Sequence, residues 1–350
     1  MKGIYRLLQE LHTRGGSDLH LSEGHAPRIR LHGVLQDMEG YATLERHHLH
    51  HMMGALLKPE RYKEFLTRGD IDFAWEWKGV ARYRCNYLIS EAGLGAVFRL
   101  VPETVIPFSK LHMPQTVIQL TQHRSGLILL TGPTGSGKST TLAAMLDHIN
   151  ASRPCSILTI EDPIEFIHSR KKAFVVQREI NSHTRTFSSA LRAALREDPD
   201  ILMVGELRDA ESAALTLTAA EMGFLVLATL HTGSAANSIN RILSMFPPNR
   251  RAVIRQQMAN TIVGVVSQNL IRRVDGQGRV PAVEILVVTS QLRNIIREGA
   301  VHQMPSAFQQ GKSVGCQTMD QSIVSLVRKK LISRRAAEPY MTDRSALGSL

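Results

Sequence analysis

The stretch Gly132-Pro133-Thr134-Gly135-Ser136-Gly137-Lys138-Ser139, followed by Thr140, holds the densest chemistry in the chain. It satisfies GxxxxGK[ST] between an apolar run and a helical one, the setting in which such a loop grips phosphate. The glycines let backbone N–H groups turn inward around phosphate oxygens, and the helix that follows adds the positive end of its dipole. In that arrangement Lys138 reaches the β- and γ-phosphates of a nucleotide and the Ser139 hydroxyl can ligate Mg²⁺.

A nucleotide fold also needs acids at the carboxyl ends of neighbouring strands, facing the phosphates across the sheet crevice. Two places qualify. The run Ser156–Ile160 leads to Glu161 and Asp162 before Pro163 stops it, and Ile201–Val204 leads through Gly205 to Glu206. A carboxylate so placed can orient and partly deprotonate the attacking water. Acids also end strands merely because loops are wet. A third run, Leu225–Leu230, ends at His231, either as a sensor of the γ-phosphate and the acids or as a hydrogen-bonded strand cap.

The elements that must position these groups alternate along the chain. After Leu127–Thr131 come a helix at Ser139–Asn150, the strand Ser156–Ile160, a helix at Phe187–Arg196, the strand Ile201–Val204, a helix at Ala210–Met222, the strand Leu225–Leu230 and a helix at Ser234–Met245. Unbroken apolar strands joined by helices predict a largely parallel sheet covered on both faces. From Arg250 onward the pattern is mainly helical, with one strand near Val280–Val288.

Before Val101 the chain reads as a small α+β domain. Leu44–Phe65 has helical spacing, and Asp70–Trp77, Val80–Ile89 and Leu94–Val101 alternate as strands. Pro102, Pro107 and Pro114 mark a linker. The expected division is 1–101, linker 102–114, and 115–350.

With 350 residues, 43% of them hydrophobic and 21% charged, the chain has enough apolar material for two cores. Cys85, Cys155 and Cys316 form no CxxC pair, which excludes a tetracysteine zinc site and a disulfide framework and fits a reducing cytoplasm. Arg6, Glu10 and Arg14 interrupt the amino-terminal stretch, so it reads as an amphipathic helix rather than a signal peptide. The apolar runs fall far short of the roughly 20 residues that span a bilayer, leaving only a peripheral membrane role. The net charge of +11 attracts polyanions, but 5% aromatic content is low for base stacking. Nucleic acid is therefore a secondary reading.

The run Arg46-His47-His48-Leu49-His50-His51 offers helical histidine pairs without an accompanying acid or cysteine, and reads as a solvated helix face rather than a metal grip. The basic runs Arg170–Lys172 and Arg328–Lys330 read the same way.

Several motifs together resemble one family, the PilT-like type IV pilus retraction ATPases of the secretion ATPase superfamily. They are SDLHL (Ser17–Leu21), ARYRCN (Ala81–Asn86), AVFRLVP (Ala96–Pro102), GPTGSGKSTT (Gly132–Thr141), TIEDPIEF (Thr159–Phe166), ALREDPDILMVGELRD (Ala194–Asp209), ATLHTGSAANSINRIL (Ala228–Leu243), LRNIIREG (Leu292–Gly299) and HQMPSAFQQG (His302–Gly311). The resemblance implies an α/β fold, a RecA-like P-loop NTPase domain preceded by a PAS-like domain. It also implies a cytoplasmic hexameric ATP-driven motor, peripheral at the inner membrane, acting on a platform protein there and beside a paralogous pilus ATPase.

In that frame Lys138 and Ser139 are the Walker A pair, Glu161 the acid of the Asp box, Glu206 the Walker B glutamate and catalytic base, and His231 the His-box residue. Arg84 and Arg99 approach the triphosphate from the amino-terminal domain. Phe224 stands where the family often has a second histidine, which raises an accessory, non-catalytic nucleotide-binding subunit, or another secretion ATPase, as the alternative.

Overall fold

In the computed structural model, which describes residues 2–31, 33–101, 105–276 and 278–347, the chain divides into two compact units. One is Met1–Thr104 with Pro163–Ile167; the other is Val105–Asp162 with His168–Leu350. Pro102–Thr104, within the expected linker, lie outside the described residues.

The first unit runs α1 (Lys2–Thr13), β1 (Asp18–Ser22), β2 (Arg28–Leu31), β3 (Val34–Asp37), α2 (Arg46–Gly54), α3 (Pro59–Arg68), β4 (Asp70–Trp77), β5 (Ala81–Ser90) and β6 (Gly93–Val101). Its antiparallel sheet has the order β3-β2-β1-β6-β5-β4. Alternation decides which face is covered: Ala81, Tyr83, Cys85 and Tyr87 of β5 point into a core with Ile4, Leu7, Leu8 and Leu11 of α1, while Arg84 points out. The buried phenols are satisfied, Tyr83 donating to the Leu8 carbonyl and Tyr87 to that of Met53. The helical stretch expected over Leu44–Phe65 is two helices. Pro59 opens the second, because a ring without an N–H suits a first turn and not an interior.

The second unit comprises α4 (Gln115–Leu120), β7 (Gly126–Thr131), α5 (Lys138–Ser152), β8 (Ser156–Glu161), β9 (Phe174–Glu179), α6 (Phe187–Ala194), β10 (Ile201–Val204), α7 (Ala210–Glu221), β11 (Leu225–Leu230), α8 (Ala235–Ser244), α9 (Arg251–Thr261), β12 (Ile262–Arg272), β13 (Arg279–Val287), α10 (Ser290–Glu298), α11 (Met304–Gln310), α12 (Met319–Arg328) and α13 (Arg334–Ala337). The strand order is β13-β12-β7-β11-β10-β8-β9, parallel except for β13. Both faces are covered, so successive residues of one strand enter different cores. Leu127 and Leu129 of β7 pack with residues of α6 to α11, whereas Ile128 and Leu130 pack with those of α4 and α5.

The mainly helical reading beyond Arg250, with one strand, is corrected. Two long strands lie there, and β12 is a central strand hydrogen-bonded to β7. It escapes notice because it follows α9 directly, Ile262 being the helix's cap, with no turn residue between them. Buried on both faces, it also shows no alternation to separate it from a buried helix. No helix among the described residues is long and apolar enough to cross a membrane.

Candidate functional site

The chain leaves β7 at Thr131 and enters α5 at Lys138, so residues 132–137 must reverse direction in a short loop. Gly132 has φ +146° and Gly137 φ +86°, conformations that side chains rarely adopt. A Cβ at Gly132 would also strike the Gln268 carbonyl oxygen, and one at Gly137 would come within 2.8 Å of the Gln268 side-chain nitrogen. Gln268, buried on β12, donates from Nε2 to the Ser136 carbonyl (2.7 Å) and accepts at Oε1 from the Thr141 hydroxyl (2.8 Å). The neighbouring hydroxyls of Thr131 and Ser267 join at 2.8 Å across the same strand pair.

Lys138 is buried and folded onto its own loop, its Nζ donating to the carbonyls of Gly132 (2.8 Å) and Pro133 (3.0 Å). The Ser136 hydroxyl is buried without a hydrogen-bond partner. An ammonium group, an unpartnered hydroxyl and the positive N-terminal end of α5 form a donor set that suits phosphate oxygens. Ser139 and Thr140 sit half-buried on that first turn, while Pro133, Thr134 and Gly135 are exposed.

The strand order β7-β11-β10-β8 brings the loop, His231, Glu206 and Glu161 to one edge of the sheet. Register keeps the ends level: Leu230 lies opposite Thr131, and Val204 lies between Ala228 and Ile160. With strands about 4.8 Å apart, β10, which leads into Glu206 two residues past its end, stands two strands, roughly 10 Å, from the strand that carries the loop. Backbone bonds on both sides of Glu206 fix its place, from Gly205 N–H to the Ile160 carbonyl (2.8 Å) and from Leu207 N–H to the Thr229 carbonyl (3.0 Å).

Around Glu206 the charges are organised. Arg208 donates from Nε to Glu206 Oε2 (2.7 Å) and from Nη1 to Asp162 Oδ2 (3.1 Å). On the other side His231 Nε2 lies 3.2 Å from Glu206 Oε1. The hydrogen bond to Glu206, aided by the charges of both carboxylates, keeps the Arg208 guanidinium more firmly protonated than usual despite some burial. Glu161 is buried at the end of β8, where its Oε1 accepts from the Thr159 hydroxyl (2.7 Å) and from Gln177 Nε2 (3.1 Å) of β9.

Arg84 and Arg99 belong to the first unit. They face each other across β5 and β6 on the outer side of that sheet. Arg99 Nε donates to Asp18 Oδ1 (2.7 Å). Burial alone would raise the Asp18 carboxyl, but the hydrogen bonds from Arg99 and Ser17 and the Arg99 charge outweigh it, leaving its pKa below the usual range.

Two sequence readings change. The histidine run does have an acid beside it: Glu45 caps α2, its carboxylate 3.2 Å from His47 Nδ1, with His48 part of the same capping box. Glu45, His47 and His48 bring three ligand atoms within 4.8 Å of one another, all on exposed residues. Phe224, the residue in place of a histidine, precedes β11 at the opposite end of that strand from His231 and packs on the core. A histidine there would not join Glu206 and His231.

The sequence reading omits Arg208 and Gln268 from the site. Arg208 is two positions from Glu206 within a quoted motif, a signal that was available. Gln268 has no local signal, since its partners lie more than 120 residues earlier.

Comparison with known proteins agrees with this fold. The Type II/IV secretion system protein family matches residues 78–337. The type IV pilus retraction ATPase PilT of Pseudomonas aeruginosa is 47% identical over 334 residues, 95% of this chain and 96% of that protein. A twitching motility protein of Neisseria gonorrhoeae is 44% identical over 311 residues, covering 89% and 83% respectively. A crystal structure of the pilus retraction motor PilT with bound ADP superposes with a TM-score of 0.91 at 37% identity, over 99% of both chains. A phosphate loop and a paired carboxylate at one sheet edge, carried on a chain that aligns with these proteins almost end to end, mean that this chain belongs to the type II/IV secretion system protein family and, within it, to the type IV pilus retraction ATPases, enzymes that hydrolyse ATP.

Proposed function

We propose that this protein is the ATP-hydrolysing subunit of a hexameric ring motor that powers type IV pilus retraction and twitching motility. The observation that carries the reading is Glu206, fixed just past the end of β10 on the same side of the sheet as the phosphate loop and held between Arg208 and His231. Near full-length alignment with a protein named for pilus retraction supports the cellular role. The absence of a membrane-spanning helix among the described residues is compatible with a cytoplasmic ring that works peripherally on an inner-membrane platform protein, beside a paralogous pilus ATPase.

The chemistry follows from the donors and acceptors present. Residues Gly132–Thr140 hold the polyphosphate of ATP, and Lys138 turns its ammonium from the loop carbonyls to the β- and γ-phosphates. A bound Mg²⁺, which the Ser139 hydroxyl would help to hold, supplies charge neutralisation on the phosphate oxygens. Glu206 accepts a proton from the attacking water while His231 steadies its second oxygen, and Glu161 completes the acidic edge. Arg84 and Arg99 offset the charge that develops on the transferred group, an effect worth about 10³–10⁵ in rate where an arginine finger acts. Loss of the γ-phosphate removes the tie between arginine and nucleotide, and passing that change around a ring produces a stroke.

The test joins biochemistry to the cell. The purified chain should hydrolyse ATP with Mg²⁺ and Lys138→Ala should not. A strain lacking the gene should carry unretracted, abundant surface pili and fail to twitch, and the Lys138→Ala gene should not restore it. Normal pili and twitching in the deletion strain would overturn the retraction role.

A further inference from the structure

Three glycines make a phosphate loop adaptable, and adaptability has an entropic cost at binding unless something outside the loop fixes its shape beforehand. Here that something is a single amide. Gln268 bridges the last carbonyl turn of the loop, at Ser136, and the first turn of α5, at Thr141, with one donated and one accepted hydrogen bond. Its main-chain carbonyl leaves no room for a side chain at Gly132, and its side-chain nitrogen would have to shift to admit one at Gly137. Gly132 is therefore dictated by contact with the β12 backbone as much as by phosphate, Gly137 sits against the Gln268 amide itself, and a Cβ at Gly135 would meet nothing within 4 Å. The bridge is buried, and β12 is anchored beside β7 by the Thr131–Ser267 hydroxyl pair.

We infer that Gln268 is a positioning residue of the nucleotide site, holding the phosphate loop in its binding shape before nucleotide arrives. This rests on the reading of Gly132–Thr140 as the nucleotide cradle. Gln268 lies behind the loop and its amide is spent on Ser136 and Thr141, so it acts on affinity through the orientation of the loop amides rather than on the chemical step. A core glutamine that merely satisfied its neighbours would affect folding stability and leave affinity alone.

The discriminating experiment measures binding of a fluorescent ADP analogue, together with KM and kcat for ATP, in the full chain. Gln268→Met keeps the length of the side chain and leaves the Ser136 carbonyl and Thr141 hydroxyl unpaired. Its dissociation constant and KM should rise about tenfold or more, with kcat at saturating ATP within about threefold of the parent. Thr141→Val removes only the accepted bond and should weaken binding by about threefold; it carries the test alone if Gln268→Met fails to fold. Unchanged affinity in a folded Gln268→Met protein, or in Thr141→Val where that variant stands alone, overturns the inference. So does a fall in kcat at unchanged KM. A Lys138→Ala control separates the two levels: if it binds the analogue as tightly as the parent, the cradle reading itself fails, whatever Gln268 does.

Discussion

Replacing Glu206 by glutamine removes a charge and almost no volume. The structure indicates what should survive. Glu206 meets Arg208 through Oε2 at 2.7 Å and His231 through Oε1 at 3.2 Å. A glutamine can turn its oxygen to Arg208 and its NH₂ to a neutral imidazole, so both contacts persist in weaker form. The Arg208–Glu206 pair is partly exposed, and such pairs contribute at most about 1 kcal/mol to stability. The melting temperature should therefore move by only a few degrees. Nucleotide affinity should also hold, because none of the bonds that shape the loop involves Glu206. Turnover should fall by 10²-fold or more, since an amide cannot take the proton of the attacking water. That loss corresponds to about 3 kcal/mol or more in the barrier. Phosphate release under steady state, fluorescent-nucleotide binding and thermal melting on the same preparation measure the three quantities. Turnover within about twofold of the parent would show that Glu206 is not the base. A parallel loss of affinity would show that it holds nucleotide instead.

Two further outcomes follow from geometry. Gly132→Ala should cost more than about 2 kcal/mol of unfolding free energy, because φ +146° and the Gln268 carbonyl both oppose a Cβ; Gly135→Ala, strained by φ +78° but unobstructed, should cost about 1 kcal/mol, and equal losses in denaturant melts would refute the steric account. Asp18 has a folded-state pKa below its ordinary 3.8, so its contribution to stability is complete above that value and is lost as pH falls through the lower, folded one. Asp18→Asn should flatten the acid limb of the stability curve below about pH 4, and an unchanged limb would remove Asp18 as its source.

How much could be read from residue order alone differs from group to group. The strand–loop–helix unit around the glycines, Lys138 and Ser139 was legible because its residues are consecutive and local geometry alone shapes it. Glu161, Glu206 and His231 were legible as strand ends because each follows an unbroken apolar run. The strand β12 was not, since burial on both faces erases periodicity and no turn residue separates it from α9. Phe224 raised a doubt about activity that its location at the far end of β11 takes away from the catalytic edge.

Sequence by itself thus determined which groups are on offer, a glycine-rich loop with a lysine and hydroxyls and acids at strand ends, because those signals need only a few neighbouring residues. Tertiary structure decided which groups meet. Arg208 reaches Asp162 across 46 positions and Gln268 reaches Ser136 across 132. A parallel sheet sets side by side strands that the chain visits far apart, and hydrogen bonds act over about 3 Å of space regardless of the length of chain between their partners.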